Sequence, residues 1–328
     1  MKAVVYQEFG AASDVLRLDD METPVAGPGE VLVRVAFSGA NPSDVKARSG
    51  TRPGVTKPAF PVIIPHSDGS GVIEAVGEGV DPSRVGERVW IWNGQWQRAL
   101  GTCSEYIALP ASQAVALPDG VSLESGAVLG IPGLTAAHCV FGGGAVTGKT
   151  VLISGGAGTV GYLAVQLAKW GGAKVIAIGS PRDFDRMTAA GADHVVDYRS
   201  ETLAADILAA NGGACLDMAV EVEFGVNVSL LAEVMAENAR VAIYGSAKNM
   251  APEIPFGPLL FKALTLDIVL IYILPEAPRA EAINQLHAAL TDGALDLPIA
   301  HVFSPQEAAQ AHEAVEAGGR AGAVLVGF

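Results

Sequence analysis

The chain has 328 residues, half of them hydrophobic, with 21 basic against 35 acidic side chains and a net charge of −14. That length predicts about two domains and a sizeable core. The acidic balance, with no run or stripe of Lys and Arg, excludes a nucleic-acid surface and leaves the charge to serve solubility. Three widely spaced cysteines, Cys103, Cys139 and Cys215, argue against a disulfide framework and against C-x-x-C metal clusters. The first residues hold too short an apolar run for a signal peptide, and residues 268–274 fall well short of the about 20 needed to span a bilayer. No membrane association and a reducing, cytoplasmic setting are the expectations.

Residues 1–119 read as mostly β. Residues 2–6 form a short β-rich run. Residues 30–37 alternate, placing Val31, Val33 and Val35 on one face and Leu32 and Arg34 on the other. Residues 71–76 and 88–92 read as further strands, separated by turn signals at Pro28-Gly29, Asn41-Pro42 and Gly77-Glu78-Gly79. Short strands with frequent turns predict a sandwich or partial barrel. Near Leu117 the pattern changes. Residues 122–130 read as a helix with Ser122 as its cap, and residues 133–141 as a second helix.

Strands then alternate with helices. Strands are expected at 151–154, 175–178, 194–196, 218–221, 240–243 and 266–271. Helices are expected near 159–170, 183–190, 202–209, 226–236 and 257–262. Six strands with crossover helices predict an α/β fold with a doubly wound parallel sheet. A helix at 279–291 follows, then strand 299–303, helix 305–317 and strand 323–327, elements suited to rejoining the N-terminal domain. The expected domains are 1–122 with 294–328, and 123–293.

The first crossover carries a glycine cluster, Gly155 to Gly161, in which Gly156, Gly158 and Gly161 fit G-x-G-x-x-G. The first glycine is assigned to the turn, the second to backbone approach to a pyrophosphate, and the third to close packing of helix on strand. Gly156, Ala157, Gly158, Thr159, Val160 and Gly161 are therefore the expected phosphate cradle of a dinucleotide. An NAD site carries Asp or Glu at the end of its second strand, on the ribose 2′-hydroxyl. Here that strand ends Ile178-Gly179-Ser180, with Arg182 and then Arg186 following. Ser180 and Arg182 suit a 2′-phosphate, so NADPH is the expected cofactor. Asp183 and Asp185 count against it, and they are read instead as charges at the start of the next helix.

Several motifs in fixed order carry a family resemblance: Asn41-Pro42-Ser43-Asp44, Arg48-Ser49-Gly50, residues 70–77, residues 86–89, Gly133-Leu134-Thr135-Ala136, the glycine cluster, Gly191-Ala192-Asp193 and Tyr198. Together they resemble the medium-chain dehydrogenase/reductase superfamily, in its zinc-independent quinone oxidoreductase (zeta-crystallin-like) branch. The resemblance implies a GroES-like β domain, a Rossmann domain and a cleft between them. It implies a homodimer joined through the strand at 266–274, an apolar edge that otherwise invites aggregation. It places Asn41 and Thr135 at the nicotinamide end, Gly245 and Ser246 under the nicotinamide ribose, and Tyr198 at the adenosine phosphate.

Zinc alcohol dehydrogenases of the superfamily hold metal with Cys, His and Cys. Here those positions match Asn41, His66 and Pro132, too poor a ligand set for zinc, so no metal is expected. His66 departs from the branch. It is either a proton donor or substrate contact at the cleft, or a hydrogen-bonded histidine at a strand-to-turn position, and the second is favoured. Lys46 and Arg52 stand where the branch tends to have tyrosines. They attract an anionic acceptor or stabilise an enolate, or they are solvated surface cations. The expected activity is NADPH-dependent hydride transfer to a quinone or an α,β-unsaturated carbonyl. The alternative is a catalytically idle NADPH-binding sensor or scaffold.

Overall fold

The computed structural model describes residues 1–51 and 54–328; Arg52 lies outside the described residues. The chain divides into two units, Met1–Ile131 with Leu297–Phe328, and Pro132–Asp296.

The first unit opens with β1 (Lys2–Val5), α1 (Ala12–Val15), β2 (Arg17–Asp20), β3 (Glu30–Ala40), α2 (Pro42–Ser49), β4 (Asp68–Val76), β5 (Arg88–Ile91), β6 (Tyr106–Pro110), β7 (Ala114–Ala116) and α3 (Leu123–Gly126). β3 is its hub, pairing antiparallel with β4 and with β6. The period-two pattern of β3 is realised. Val31, Val33 and Val35 are buried and pack with Ile73, Val89, Ile91, Ile107 and Leu109. Each such side chain contributes about 1.5–3 kcal/mol by leaving water.

Two expectations fail locally. Asn41-Pro42 is a helix start rather than a simple turn: Pro42 supplies the first helical φ and lacks only an N–H that would be unbonded there anyway. The helix expected over 122–130 stops at Gly126. Ser122 does cap it, accepting the Ser125 N–H at 3.1 Å.

The second unit runs α4 (Leu134–Phe141), β8 (Thr150–Ser154), α5 (Thr159–Trp170), β9 (Lys174–Gly179), α6 (Phe184–Ala189), β10 (His194–Asp197), α7 (Leu203–Ala210), β11 (Leu216–Glu221), α8 (Phe224–Val234), β12 (Met235–Ile243), α9 (Phe256–Phe261), β13 (Thr265–Ile268) and α10 (Glu276–Thr291). Its six strands are parallel throughout, in the order β10-β9-β8-β11-β12-β13. A parallel sheet is covered on both faces, so its strands are almost wholly apolar. Leu152, Ile176, Ala219 and Val241 are buried at its centre. The edge strand is shorter than expected. β13 ends at Ile268, and residues Ile271–Ile273 wind into a 3-10 turn.

The chain then returns to the first unit through β14 (Ile299–Phe303), α11 (Ala308–Ala317) and β15 (Ala323–Gly327). β15 lies between β14 and β3, parallel to the former and antiparallel to the latter. The units meet at 131/132 and 296/297, later than the 122/123 and 293/294 expected. α3 stays with the first unit because it is tied there: Ser70 Oγ donates to the Leu123 carbonyl, Arg88 to the Val121 carbonyl, and the Ile131 N–H to Asp68 at 2.7 Å.

Candidate active site

In the second unit the expected cofactor residues gather along one edge of the sheet. Gly155, Ser180, Tyr198 and Tyr244 directly follow or lie just past the C-terminal ends of β8, β9, β10 and β12. Strand order reverses between β8 and β11, and ligands of open parallel sheets bind outside the strand ends at such a point. Ser154 and Glu221, the last residues of these two strands, meet there. Ser154 Oγ donates to Glu221 Oε1 at 3.1 Å, and Asn227 Nδ2 donates to both Glu221 oxygens at 3.0 and 3.2 Å. Burial pushes the Glu221 carboxyl above its usual range, against the lowering effect of these hydrogen bonds.

The glycine cluster does its work in a slightly different way from the sequence assignment. The left-handed residue of the turn is Gly155, at φ 66°, one position before the fingerprint. Gly156 is needed for packing: a Cβ there would lie 2.9 Å from Ala177 Cβ and 3.0 Å from Met187 Sδ. A Cβ on Gly161 would lie 2.1 Å from the Gly155 carbonyl oxygen, so this glycine brings α5 against the turn, as assigned. Gly158, at the N-cap of α5, is the open one. A Cβ there would have only the Gly155 carbonyl oxygen as a neighbour, at 3.4 Å. The helix N-terminus, with its unbonded N–H groups, is thus approachable by a phosphate where a side chain would obstruct it. These residues fit a dinucleotide.

Arg186 is committed to this turn. Its Nε donates to the Ala157 carbonyl at 3.2 Å, and its guanidinium lies 4.1 Å from the centroid of the Tyr162 ring. Arg182 is largely exposed, with Nε 3.5 Å from Asp183 Oδ2. Tyr198 is half exposed beside β9, its N–H donating to the Gly179 carbonyl at 3.1 Å. Arg199, which the sequence reading passed over, lies above the Tyr198 ring at 5.4 Å. Ser246 is internally occupied: Oγ accepts the Gly225 N–H at 2.7 Å and donates to the Asn249 carbonyl. A Cβ on Gly245 would meet the Val222 carbonyl at 2.5 Å. Thr135 is buried in the first turn of α4, whose cap is Gly133.

In the first unit, Asn41 is the N-cap of α2 and is nearly buried. It forms a capping box with Asp44, and its Nδ2 donates to Asp68 Oδ2 at 2.7 Å. Asp68 is fully buried; burial first, then the nearby charge of Asp44, pushes its carboxyl well above the usual range. Lys46 is exposed on α2. Trp90 is a fully buried core residue; Trp92 is partly buried, with Nε1 donating to the Ser112 carbonyl at 3.2 Å.

His66 is fully buried, in a left-handed conformation at φ 74°. Nδ1 is bonded to Ser38 Oγ at 2.8 Å and Nε2 to His312 Nε2 at 3.0 Å. With both nitrogens engaged, the ring has none to offer a substrate. Of the two roles open to it, the hydrogen-bonded strand-to-turn histidine is the one this geometry fits, and the proton-donor role is withdrawn. Among the described residues, no three His, Cys, Asp or Glu side chains gather where a metal ion could be held. Among the described residues no helix is long and apolar enough to cross a membrane.

Residues 27–119 match the alcohol dehydrogenase GroES-like domain, and residues 159–282 match the zinc-binding dehydrogenase domain. These are the two domains of the medium-chain dehydrogenase/reductases. The chain belongs to that superfamily, in its quinone oxidoreductase (zeta-crystallin-like) branch, and is an oxidoreductase. It is 30% identical over 331 residues to the quinone oxidoreductase of Lama guanicoe, covering 99% of this chain and 97% of the relative. Among solved structures it is similar to mycobacterial Rv1454c, described in complex with NADPH, with 26% identity, a TM-score of 0.87 and both chains fully covered. It is also similar to an NAD-dependent alcohol dehydrogenase, with 26% identity, a TM-score of 0.85 and both chains fully covered.

Proposed function

We propose that this oxidoreductase takes NADPH and reduces a quinone or an α,β-unsaturated carbonyl without a metal ion. The observation that carries the reading is the edge of the second unit's sheet. An open glycine, Gly158, caps α5 at the strand-order reversal, while β9 ends at Gly179 and is followed by Ser180, with no carboxylate there for a ribose 2′-hydroxyl. The mycobacterial relative described with NADPH and the quinone oxidoreductases among the curated relatives support the same reading.

Bound there, the nicotinamide cofactor supplies a hydride. The chain's residues supply its setting. The N–H groups at the start of α5, around Gly158 and Thr159, hold the pyrophosphate. Ser180 donates to a 2′-phosphate, and Arg182 and Tyr198 flank it. Thr135 and Asn41 serve the nicotinamide end. Reaction then depends on position, on exclusion of water and on donors aimed at the oxygen that gains negative charge. Lys46 lends positive charge on the acceptor side. The absence of metal is supported by the donors at the positions where zinc relatives bind it: an amide at Asn41, a proline at Pro132, and His66 with both nitrogens already bonded.

NADPH oxidation, followed by absorbance with a panel of quinones and enals in the presence of a chelator, tests this. Turnover is expected. NADPH binding with no turnover on any acceptor would favour an idle cofactor-binding protein, and turnover abolished by the chelator would overturn the metal-free step. We further propose a homodimer joined through the edge strand β13.

A further inference from the structure

Asn41 has little hydrogen-bonding capacity left over. Its backbone N–H donates to Asp44 Oδ2 at 2.8 Å, and its side chain accepts from the Asp44 backbone in the capping box. One side-chain N–H donates to Asp68 Oδ2 at 2.7 Å. The nearest acceptor for the other is the Gly39 carbonyl at 3.5 Å, the outer edge of hydrogen bonding.

Asp68 is held more firmly still. Its Oδ1 accepts from the Ile131 N–H at 2.7 Å, and a Cβ on Gly130 would come within 2.1 Å of the same oxygen, so the backbone of the π-helical turn Leu129–Gly133 closes tightly on the carboxyl. Its backbone carbonyl accepts from Thr102 Oγ1 at 2.5 Å, and Thr102 Oγ1 is bonded in turn to Ser38 Oγ at 2.8 Å on β3. β3 and β4 pair Gly39 with Asp68, two residues before Asn41. The Asn41 side-chain oxygen is already taken by the Asp44 N–H in the capping box. Asn41 must therefore turn its nitrogen, not its oxygen, toward Asp68.

We propose that Asp68 is a positioning residue which fixes the Asn41 amide so that residue 41 offers its one remaining N–H, as a donor, to the oxygen that gains charge during reduction. The inference rests on the reductase reading above. A donor held in advance stabilises a developing oxyanion without reorganising, and a buried carboxyl oxygen accepting from the same amide nitrogen anchors that orientation.

Three variants of the full-length protein separate this from a merely structural pair: Asp68→Asn, Asn41→Asp, and the two combined. In Asp68→Asn the new amide meets two donors, the Ile131 N–H and Asn41 Nδ2, and satisfies only one. Expected are a lowered thermal midpoint and a fall in kcat of about 10²-fold, with NADPH affinity little changed. In the combined variant the donor and acceptor exchange places. The amide at position 68 accepts from Ile131 and donates to the carboxylate at position 41, so the thermal midpoint recovers. Residue 41 then has only oxygens to offer, and kcat stays low.

Recovery of kcat together with the midpoint would overturn the proposal, as would wild-type kcat in Asp68→Asn. A readout without any acceptor is the Asn41 side-chain amide resonance of isotope-labelled protein. It is expected to be shifted and slowly exchanging in the wild type and altered in Asp68→Asn. An unchanged resonance would overturn the orientation even if the wild type reduced no acceptor, an outcome that would count separately against the reductase reading.

Discussion

His66 Nε2 and His312 Nε2 lie 3.0 Å apart, with their rings stacked at a centroid separation of 5.1 Å, so the pair can hold one proton between those nitrogens and not two. One arrangement satisfies every link: Thr102 donates to the Asp68 carbonyl, Ser38 to Thr102, His66 Nδ1 to Ser38, and His312 Nε2 to His66. It leaves His312 Nδ1 as a bare acceptor, and that atom is buried without a partner.

Burial pushes His66 down to about 3; burial first, then His66 and Arg48, lowers His312 well below its ordinary value. Both are therefore neutral in the folded protein across the range where an unfolded histidine, near 6.5, takes up a proton. The unfolded state binds more protons as pH falls below about 6.5, so stability is complete above that value and declines toward about 3. For His66 the loss by about pH 5 is roughly 2 kcal/mol, and His312 adds to it in the same direction. Urea midpoints at about pH 7.5 and about pH 5 check this. The His66→Gln, His312→Gln double variant is expected to lose much less between the two.

Gly158 and Gly161 predict opposite outcomes for one chemical change. Gly161→Ala forces a methyl group against the Gly155 carbonyl oxygen, which is backbone and cannot yield cheaply. A stability loss of about 1–3 kcal/mol and weakened NADPH binding are expected together. Gly158→Ala fits at φ −71° with no close neighbour, so the melting temperature stays near wild type while NADPH affinity falls. Calorimetric melting alongside a fluorescence titration separates the two.

Cofactor choice is expected to turn on the Arg182–Asp183 pair. Asp183 Oδ2 lies 3.5 Å from Arg182 Nε and competes for the guanidinium that a 2′-phosphate would use. Arg182→Ala is predicted to weaken NADPH by about tenfold while leaving NADH nearly unchanged, the worth of one solvent-exposed charge-assisted bond. Asp183→Ala shifts preference the other way, toward NADPH. Dissociation constants for both cofactors at fixed ionic strength give the answer.

The proposed dimer is expected to depend on the apolar surface around β13. Ile268 is 80% exposed and Phe261 is 86% exposed, and Phe256, Leu260 and Ile273 are exposed as well. A lone edge with this composition recruits another strand. Ile268→Lys is predicted to yield monomer in light scattering, at a concentration where the wild type is dimeric. A monomeric wild type would refute the assembly.

Much of the fold was readable because period and composition agreed. β3 alternates from Glu30 to Val35, and the strands of the second unit are runs of Val, Ile and Ala that only a doubly covered sheet accommodates. α2 escaped because its residues are mainly polar, with Val45 the one buried apolar side chain, so it has no apolar stripe to detect. Residues 266–274 misled in the opposite sense: the apolar run continues past Ile268 while the backbone turns into the Ile271–Ile273 helix. The glycine turn was legible in outline, yet which glycine bears the positive φ is set by the path of the chain and not by the spacing. Asp68 and His312 carried no local signal at all. Their roles arise from partners 27 and 246 residues away.

The pairing of Val324 with Ala40 has a consequence for biosynthesis. The Rossmann unit is a single continuous segment and is complete once residue 296 has left the ribosome. The GroES-like unit is not. Its hub strand emerges early and presents an unpaired flank until β15 arrives. Throughout that interval the nascent chain carries an open β-edge, the kind of unpaired edge that exposes an incompletely folded domain to aggregation.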